Sequence, residues 1–267
     1  MSNLQLRIVS AVILAAVTLV LTWLGGLPFR LLCALIAGAI FYEWTRMCRP
    51  SPAKAFGLLP EVLILVFIGA LIAGLPAAYL LSLVAVIVVV ALVAGAGRWE
   101  AAGLAYAAIS GLALALLRDG DRSGLIAVLF LFAVVWATDI AAYFVGRAVG
   151  GPKLAPSISP GKTQSGALGG AVGGVVAGVL LAATAGVVGL WTLGLVALVL
   201  SIVSQAGDLF ESWVKRRHGR KDSGALIPGH GGVMDRVDGL VAAALALYVI
   251  GCISAGADHP AQGLFPG

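Results

Sequence analysis

The sequence predicts an all-α, polytopic transmembrane helical bundle of about nine membrane helices with a cytoplasmic N-terminus. Three observations support this prediction. Of the 267 residues, 61% are hydrophobic and only 11% are charged, whereas a soluble domain carries about 25% charged residues. Apolar runs recur along the whole chain, and the basic residues between them concentrate in alternate connections. This composition excludes a soluble domain, and we expect the lipid bilayer, and no nucleic acid, as a partner.

The apolar runs give the predicted helices in chain order. A helix needs about 20 apolar residues to cross the hydrocarbon core. The first run follows Arg7 and exceeds the roughly 7–15 apolar residues of a signal peptide, so we interpret it as a retained membrane helix. Only Pro76 and its neighbours separate the third run from the fourth, which predicts a tight helical hairpin. The predicted helices are 6–24, 28–47, 58–75, 77–96, 101–117, 124–146, 166–188, 190–208 and 237–256.

The basic residues test this helix count, because cytoplasmic loops carry an excess of Lys and Arg. With the N-terminus inside and nine helices, Arg30, Arg118 and Arg122 lie outside. The chain has 17 Lys and Arg residues, so the other 14 lie on the cytoplasmic side. An error of one helix in the middle of the chain would spoil this partition.

Two of the predicted cytoplasmic connections are long and polar. The connection 147–165 is rich in Gly, Pro, Ser and Lys, and the connection 209–236 concentrates charge. We therefore predict two regions. N-terminal transmembrane helices occupy 1–120, and a C-terminal transmembrane catalytic region with these two loops occupies 121–267.

The predicted helix 166–188 carries small residues at helical spacing: Gly166, Gly170, Gly174 and Gly178. This small-xxx-small pattern lets two membrane helices approach closely. We expect this stripe to pack within the chain. The alternative is a seam between two copies in a homodimer.

One acidic residue, Asp208, falls near the end of an otherwise apolar predicted helix. It shares a helical face with Ser212 and Lys215, at i, i+4 and i+7. A charged group at membrane depth costs about 2.5–3.5 kcal/mol, so such residues usually face a cavity and serve function. The alternative is a carboxylate at a helix end that reaches into water.

A second acidic residue, Asp139, lies inside an apolar run and shares a helical face with Tyr143. We interpret it as facing a cavity, with a buried structural hydrogen bond as the alternative. The following loop contains Gly161-Lys162-Thr163, which looks like the end of a P-loop. A P-loop would need Gly where Pro156 stands, and no strand precedes it, so we reject that interpretation. Lys162 still suits a phosphate as a point charge.

A third acidic group, Asp235 and Asp238, opens the last predicted helix at i and i+3. Capping explains one aspartate at this place, but not a pair that follows a Gly-rich turn and a basic cluster. Carboxylate oxygens of this kind suit Mg²⁺, which binds through one or two carboxylates and the phosphates of a substrate. In the turn, His230 is either a general base or a hydrogen-bonding turn residue.

The run from Ser212 to Asp238 resembles the signature of the CDP-diacylglycerol synthases, the phosphatidate cytidylyltransferase family. The shared pattern is Ser-x-x-Lys-Arg, then Lys-Asp, then Pro-Gly-His-Gly-Gly, then Asp-Arg-x-Asp. The Gly-Asp pair before it and the Ser-Pro-x-Lys-Thr loop are also similar to the family's. The chain departs from the family at Gly161, where a second Lys is usual, and at Ser165, where Glu is usual.

The resemblance implies the transfer of CMP from CTP to phosphatidate in phospholipid biosynthesis, which gives CDP-diacylglycerol and pyrophosphate. It implies Mg²⁺, with a second cation left open, and a multi-pass protein of the inner (cytoplasmic) membrane whose active site faces the cytoplasm. The implied metal ligands are Asp208 and Asp235, with Asp238 as an additional or indirect ligand. The implied catalytic and phosphate-binding residues are Ser212, Lys215, Arg216, Lys221, His230 and Arg236. The implied substrate-binding residues are Asp139, Tyr143, Lys162, Thr163, Asp222, Gly231 and Gly232.

Two other functions stay open as alternatives. A CTP-dependent lipid kinase of the polyprenol type also pairs a membrane bundle with a nucleotide, but its acceptor is a hydroxyl and not a phosphate monoester. An ion-coupled transporter would explain aspartates inside apolar helices. It would not need the dense cytoplasmic cluster of Lys, Arg and Gly.

Overall fold

The computed structural model describes residues 3–48, 58–227 and 231–266, with side chains from residue 9 onward. Within these ranges the chain forms nine helices and one two-stranded hairpin, which confirms the prediction of a helical fold. The first helices are α1 Asn3–Leu24, α2 Gly26–Cys48, α3 Leu59–Ala73, α4 Ala77–Val93 and α5 Arg98–Leu117. The remaining elements are α6 Arg122–Val149, β1 Lys153–Ala155, β2 Ser159–Thr163, α7 Gln164–Thr184, α8 Leu190–Arg217 and α9 Met234–Ala255.

Each predicted apolar segment corresponds to one helix, but the helices differ in length. In the described part of the chain, six are long and apolar enough to cross a membrane: α2, α5, α6, α7, α8 and α9. The apolar stretches Val9–Leu24, Leu59–Ala73 and Ala77–Val93 are shorter. At about 1.5 Å per residue, the 15 residues of α3 cover roughly 22 Å of a hydrocarbon core that is about 30 Å thick. The protein is thus a multi-pass membrane protein, and the count of nine spans stays a prediction.

The chain divides into two compact units. We call Met1–Leu116 together with Arg220–Arg236 the first unit, and Leu117–Gly219 together with Val237–Gly267 the second unit. The motif-bearing segment Arg220–Arg236 therefore packs with the N-terminal helices. The candidate site residues on α6, β2 and α8 belong to the second unit.

In the second unit, the glycine stripe packs α7 against its neighbours. The four glycines of the stripe are buried. A Cβ atom added at Gly170 would lie 2.9 Å from the backbone oxygen of Thr138 on α6. The Thr138 hydroxyl donates a buried hydrogen bond of 2.8 Å to Ser201 Oγ on α8, which links a third helix to this packing. The stripe is thus covered within the chain, as expected, and it does not offer its glycine face to a second copy.

The connection between α6 and α7 is more ordered than its composition predicted. The helix α6 ends at Val149, and the two residues after it, Gly150 and Gly151, both have positive φ, at 66° and 99°. The strands β1 and β2 then form an antiparallel hairpin in which Lys153 pairs with Thr163. Thr163 caps α7, because its hydroxyl accepts a hydrogen bond of 3.1 Å from Gly166 N. This hairpin fixes the position of Lys162.

In the first unit, aromatic packing anchors the C-terminal end of α2. Trp44 is 1% exposed, and its indole N–H donates a hydrogen bond of 2.7 Å to the backbone oxygen of Trp99. Its ring lies 5.3 Å from the ring of Tyr106 on α5. Gly103 leaves room for this ring, since a Cβ atom there would lie 2.3 Å from Trp44 Cδ1. The neighbouring Glu43 is thereby held in a defined place.

We predict that Gly170→Ala destabilises the protein by about 1–3 kcal/mol, because its added methyl group meets backbone that no side-chain rotation can move away. The matched control is Gly69→Ala on α3, where an added Cβ atom meets nothing within 4 Å. We expect the control to be neutral or stabilising by up to about 1 kcal/mol. Thermal unfolding of both variants in detergent measures the difference. Equal midpoints for the two variants would contradict the close packing of α6 and α7.

Candidate active site

Five of the predicted site residues of the second unit line one cavity of about 680 Å³. Helices α6, α7 and α8 and the hairpin form its walls. The predicted residues in the lining are Asp139, Tyr143, Lys162, Thr163 and Asp208. The fold therefore brings together residues that lie up to 69 positions apart, from 139 to 208, in the sequence.

An ion pair between Lys162 and Asp208 crosses this cavity. Lys162 Nζ on β2 lies 2.5 Å from Asp208 Oδ2 on α8, and the two side chains are 29% and 33% exposed. The other carboxylate oxygen, Asp208 Oδ1, accepts a hydrogen bond of 3.4 Å from Ser212 Oγ, one helical turn further along. Asp208 therefore faces the cavity and a cation from inside α8, which continues to Arg217, nine residues beyond the predicted helix end at 208. The pair is open enough for a ligand to reach either partner.

Two further carboxylates add negative charge to this region. Asp139 on α6 interacts electrostatically with Asp208, Asp238 and Lys162. Asp238 on α9 interacts electrostatically with Asp208 as well. Even with Lys215 acting on Asp238, these carboxylates outnumber the ammonium groups beside them, and the excess of negative charge favours the binding of a cation.

A buried ion pair lies next to Asp238. Lys215 Nζ lies 3.1 Å from Glu211 Oε1, and these side chains are 11% and 1% exposed. Lys215 also interacts with Asp238. Lys215 was predicted from the sequence as a site residue, and Glu211 was not. The spacing of Glu211 and Lys215, at i and i+4, is the signal that indicates such a pair.

Mg²⁺ needs few protein ligands, and the residues present fit that requirement. In the part of the chain that the structure describes, no group of three or more His, Cys, Asp or Glu side chains could hold a metal ion together. Mg²⁺ usually binds through one or two carboxylates, water and substrate phosphates, so it does not require such a group. Asp208 and Asp238 offer hard oxygen ligands, and a cationic ammonium group already lies against Asp208. The donor set therefore suits Mg²⁺ in the company of a polyphosphate.

In the first unit, Asp235 holds the loop that precedes α9. Its Oδ2 accepts hydrogen bonds from Ser223 N at 3.0 Å, Ser223 Oγ at 2.9 Å and Gly232 N at 2.9 Å. The bond to Gly232 N reaches three residues back, to a residue that precedes α9. Asp235 thus binds the backbone at the start of α9, which is near to the capping role that the sequence offered as an alternative for one of the two aspartates.

Sequence reasoning missed Glu43, which binds the same loop from α2. Its carboxylate is buried, with the residue 1% exposed. Oε1 accepts a hydrogen bond of 3.0 Å from Val233 N, and Oε2 accepts one of 2.8 Å from Met234 N. Ser223 Oγ donates to Oε2 as well, at 3.1 Å. A charge in an apolar helix was the signal available, but its partners lie 180 to 191 residues away.

The remaining predicted residues are mostly at the surface. Arg216, Lys221, Asp222 and Arg236 are exposed. Asp222 lines a second cavity, of about 440 Å³, in the first unit together with Glu43, Ser223 and two arginines, Arg46 and Arg220. Gly231 has a positive φ of 81°, and its oxygen accepts a hydrogen bond of 2.9 Å from Ile227 N. Tyr143 Oη accepts one of 3.0 Å from Arg147 Nη1. His230 lies outside the described residues.

Comparison with known proteins gives a consistent result. The model of the cytidylyltransferase family matches residues 5–253. The chain is 51% identical to the phosphatidate cytidylyltransferase of Brucella suis over 272 residues, which is 99% of each chain. It is also 51% identical to that of Brucella abortus over 265 residues, 97% of each chain. The identity to the enzyme of Bacillus subtilis is 31% over 271 residues, which cover 94% of this chain and 98% of the relative.

The buried pair of Lys215 and Glu211 generates a prediction. Lys215→Met should lower stability by about 3–5 kcal/mol, because it leaves the Glu211 carboxylate buried without its cation. Adding Glu211→Gln removes that charge and should restore most of the stability. If Lys215 also contacts a phosphate, catalytic turnover stays about ten- to a hundredfold low in the double variant. Thermal unfolding and turnover measured on both variants separate the two effects.

A double variant that regains both stability and turnover would show that Lys215 only neutralises Glu211. Positive charge on the loop could also raise turnover by attracting anionic substrates without a specific contact. Replacement of the surface residue Arg220 measures this effect for comparison with Lys215. We expect Arg220→Met to lower turnover by less than about threefold, since a field of many charges depends little on any one of them.

Proposed function

The chain belongs to the cytidylyltransferase family, and from this premise we propose that it is a phosphatidate cytidylyltransferase. It transfers CMP from CTP to phosphatidate and releases pyrophosphate. The identity of 51% to phosphatidate cytidylyltransferases over 99% of the chain is the observation that carries this proposal. The same observation disfavours a polyprenol-type kinase and an ion-coupled transporter.

The reaction makes one bond and breaks one. An oxygen of the phosphatidate phosphate attacks the α-phosphorus of CTP, and the bond from that phosphorus to the bridging oxygen of the β-phosphate breaks. A phosphate monoester carries about −1.5 to −2 charge at neutral pH, so the nucleophile needs no strong base. The difficulty lies in bringing two polyanions together and in neutralising the charge of the leaving pyrophosphate. Cations and positioning therefore provide the catalysis.

The 680 Å³ cavity of the second unit would supply both the cations and the positioning of the substrates. We place the phosphates of CTP beside Lys162, Asp208 and Asp238. Mg²⁺, when bound, neutralises charge on the phosphate oxygens. Asp208 and Asp238 would hold it, and Asp235 stays proposed as a further ligand on the basis of the family motif. Lys162 exchanges its contact with Asp208 for a phosphate oxygen of the nucleotide, which its partial exposure allows.

The other motif residues are proposed to complete the binding of the two anions. Ser212 already donates to Asp208 and orients that carboxylate. Asp139, Tyr143 and Thr163 line the cavity and shape its nucleotide side. The cations proposed to contact the triphosphate and the lipid phosphate are Lys215, Arg216, Lys221 and Arg236. The turn residues proposed to approach a substrate are Asp222, His230, Gly231 and Gly232.

The proposed topology has nine spans and a cytoplasmic N-terminus in the inner membrane. Support comes from the placement of 14 of the 17 basic residues on one side, since only Arg30, Arg118 and Arg122 fall on the other. The three shorter apolar helices would cross with polar flanking residues reaching towards the interfaces. This arrangement puts the cavity of the second unit on the cytoplasmic side, where CTP is found.

Purified protein tests the proposed activity directly. With CTP, phosphatidate and Mg²⁺, we expect CDP-diacylglycerol and pyrophosphate in equal amounts, and chelation of Mg²⁺ should abolish both. Diacylglycerol or a polyprenol in place of phosphatidate should give no product. Transfer of the γ-phosphate to either hydroxyl lipid would instead indicate a kinase.

Replacement of the central carboxylate tests the site. Asp208→Asn should lower turnover about tenfold to a hundredfold, because one charge-assisted contact is lost. The matched control is Asp258→Asn in the segment after α9, outside the cavity lining. We expect this control to keep turnover within about threefold of the wild type, as a surface charge does at a distance. Equal turnover for Asp208→Asn and the wild type would remove Asp208 from the site.

Cysteine labelling tests the topology. In a variant that lacks Cys33, Cys48 and Cys252, a cysteine at Arg220 should react only from the cytoplasmic side. A cysteine at Gly120, where an added Cβ atom meets nothing within 4 Å, should react only from the opposite side. Labelling of both positions from one side would overturn the count of spans between them.

A further inference from the structure

Glu43 is a buried carboxylate of the first unit that lies between the apolar packing of α2 and the polar loop before α9. It lies five residues before the end of α2 at Cys48, beside the buried Trp44, and it is 1% exposed. Burial of an ionised carboxylate is strongly unfavourable unless hydrogen bonds compensate it. Three donors do so here: Val233 N, Met234 N and Ser223 Oγ. A side chain of α2 thus depends on a distant loop for its stability, and the loop depends on it.

Two of these donors lie at the beginning of α9. The first N–H groups of a helix have no partner within the helix, and a negative charge there is favoured by the helix dipole. The Glu43 carboxylate accepts from two consecutive N–H groups of this kind at 3.0 and 2.8 Å. It therefore fixes where α9 begins and how the chain enters it.

The loop backbone wraps closely around this carboxylate. A Cβ atom at Gly224 would lie 2.5 Å from Glu43 Oε1, and one at Gly232 would lie 2.6 Å from Glu43 Oε2. Any side chain at these two positions would collide with the carboxylate. Contact with Glu43 thus accounts for Gly232, a residue that the sequence suggested for substrate binding.

Ser223 connects Glu43 to Asp235. Its Oγ lies 3.1 Å from Glu43 Oε2 and 2.9 Å from Asp235 Oδ2. A hydroxyl has one hydrogen, so the two carboxylates share it. Asp235 accepts from Ser223 N at 3.0 Å in addition. A shift of Glu43 is therefore transmitted to Asp235, the proposed metal ligand, and to the adjacent Arg236.

We infer that Glu43 is a positioning residue for the nucleotidyl transfer. From α2 it holds Ser223 and the residues 231–236 in the conformation that presents Asp235 and Arg236 to the substrates. This inference rests on the proposed function. Glu43 itself does not touch the reacting atoms and acts through Ser223 and the first turn of α9.

The test compares Glu43→Gln with Glu100→Gln. Glutamine keeps the size of Glu43 but replaces one acceptor oxygen by an NH₂ donor. This donor then faces an N–H donor of the loop, so one hydrogen bond is lost. Glu100 is the matched control because it is also buried in the first unit and accepts from Gly97 N at a helix beginning, at 3.2 Å. We expect Glu43→Gln to lower kcat about tenfold or more and to raise the Mg²⁺ concentration for half-maximal activity. Glu100→Gln should change neither by more than about twofold per folded molecule.

A merely structural role gives a different result. It would lower the fraction of folded protein and leave both kcat per folded molecule and the Mg²⁺ requirement unchanged, which overturns the inference. If Glu43→Gln does not fold, Ser223→Ala carries the same comparison, since it keeps both bonds from Glu43 to the backbone. Loss of kcat with a raised Mg²⁺ requirement in Ser223→Ala supports the inference, and unchanged values overturn it.

The double variant tests transmission through Ser223. If Glu43 acts through the shared hydroxyl, Glu43→Gln with Ser223→Ala loses little more activity than the worse single variant, by less than about threefold. Multiplication of the two single effects would show that the residues act independently and would overturn the proposed connection.

Amide hydrogen exchange separates failure of the inference from failure of the proposed function. If the wild-type protein makes no CDP-diacylglycerol, the proposed function is refuted. Amide hydrogen exchange can still be measured on that protein. Glu43→Gln should then speed exchange at Val233 and Met234 about tenfold or more relative to the wild type. Glu100→Gln should not change exchange at these two positions. Unchanged exchange in Glu43→Gln would overturn the positioning role.

Discussion

Carboxylates placed within apolar helices need partners, and the candidate site depends on how they obtain them. Asp208 on α8 reaches Lys162 of the hairpin, Glu211 pairs with Lys215 one turn further on, and Glu43 on α2 accepts from the loop before α9. An uncompensated charge in such surroundings would cost several kcal/mol. Satisfying Asp208 and Glu43 brings the hairpin and the loop before α9 to their helices, whereas Glu211 is satisfied within α8. In the second unit, these contacts gather charged groups where a nucleoside triphosphate and a phosphate monoester would have to meet.

The exposure of each carboxylate determines whether it can exchange its protein partner for a ligand. Glu43 is fully enclosed, so its hydrogen bonds set a fixed geometry for the start of α9. Lys162 and Asp208 are about one-third exposed, so either can exchange its partner for a ligand group. We therefore regard Glu43 as part of the scaffold and the pair of Lys162 and Asp208 as the part that responds to substrate.

Local patterns in the sequence predicted the helices and the acidic residues of the cavity, because hydropathy and a charge inside an apolar run are visible in a short window. The hairpin at 153–163 was not predicted, since its Gly- and Pro-rich composition indicates only a polar connection. Glu43 was not predicted as a functional residue, because its role comes from hydrogen bonds with loop N–H groups about 190 residues away. The role of Asp235 in holding the loop likewise depends on Ser223, which no spacing rule connects to it.

We propose that Lys162 stays paired with Asp208 until a phosphate of the nucleotide takes over its contact. Binding of Mn²⁺, a paramagnetic substitute for Mg²⁺, to the wild type and to Lys162→Met tests it by electron paramagnetic resonance with and without CTP. Without CTP, the variant should bind Mn²⁺ more tightly, because Asp208 has lost its competing cation. With CTP, it should bind the Mn²⁺–nucleotide complex about tenfold or more weakly, because a phosphate contact is missing. If the Mn²⁺ affinity of Lys162→Met rises in both measurements or falls in both, Lys162 does not exchange Asp208 for a phosphate of the nucleotide.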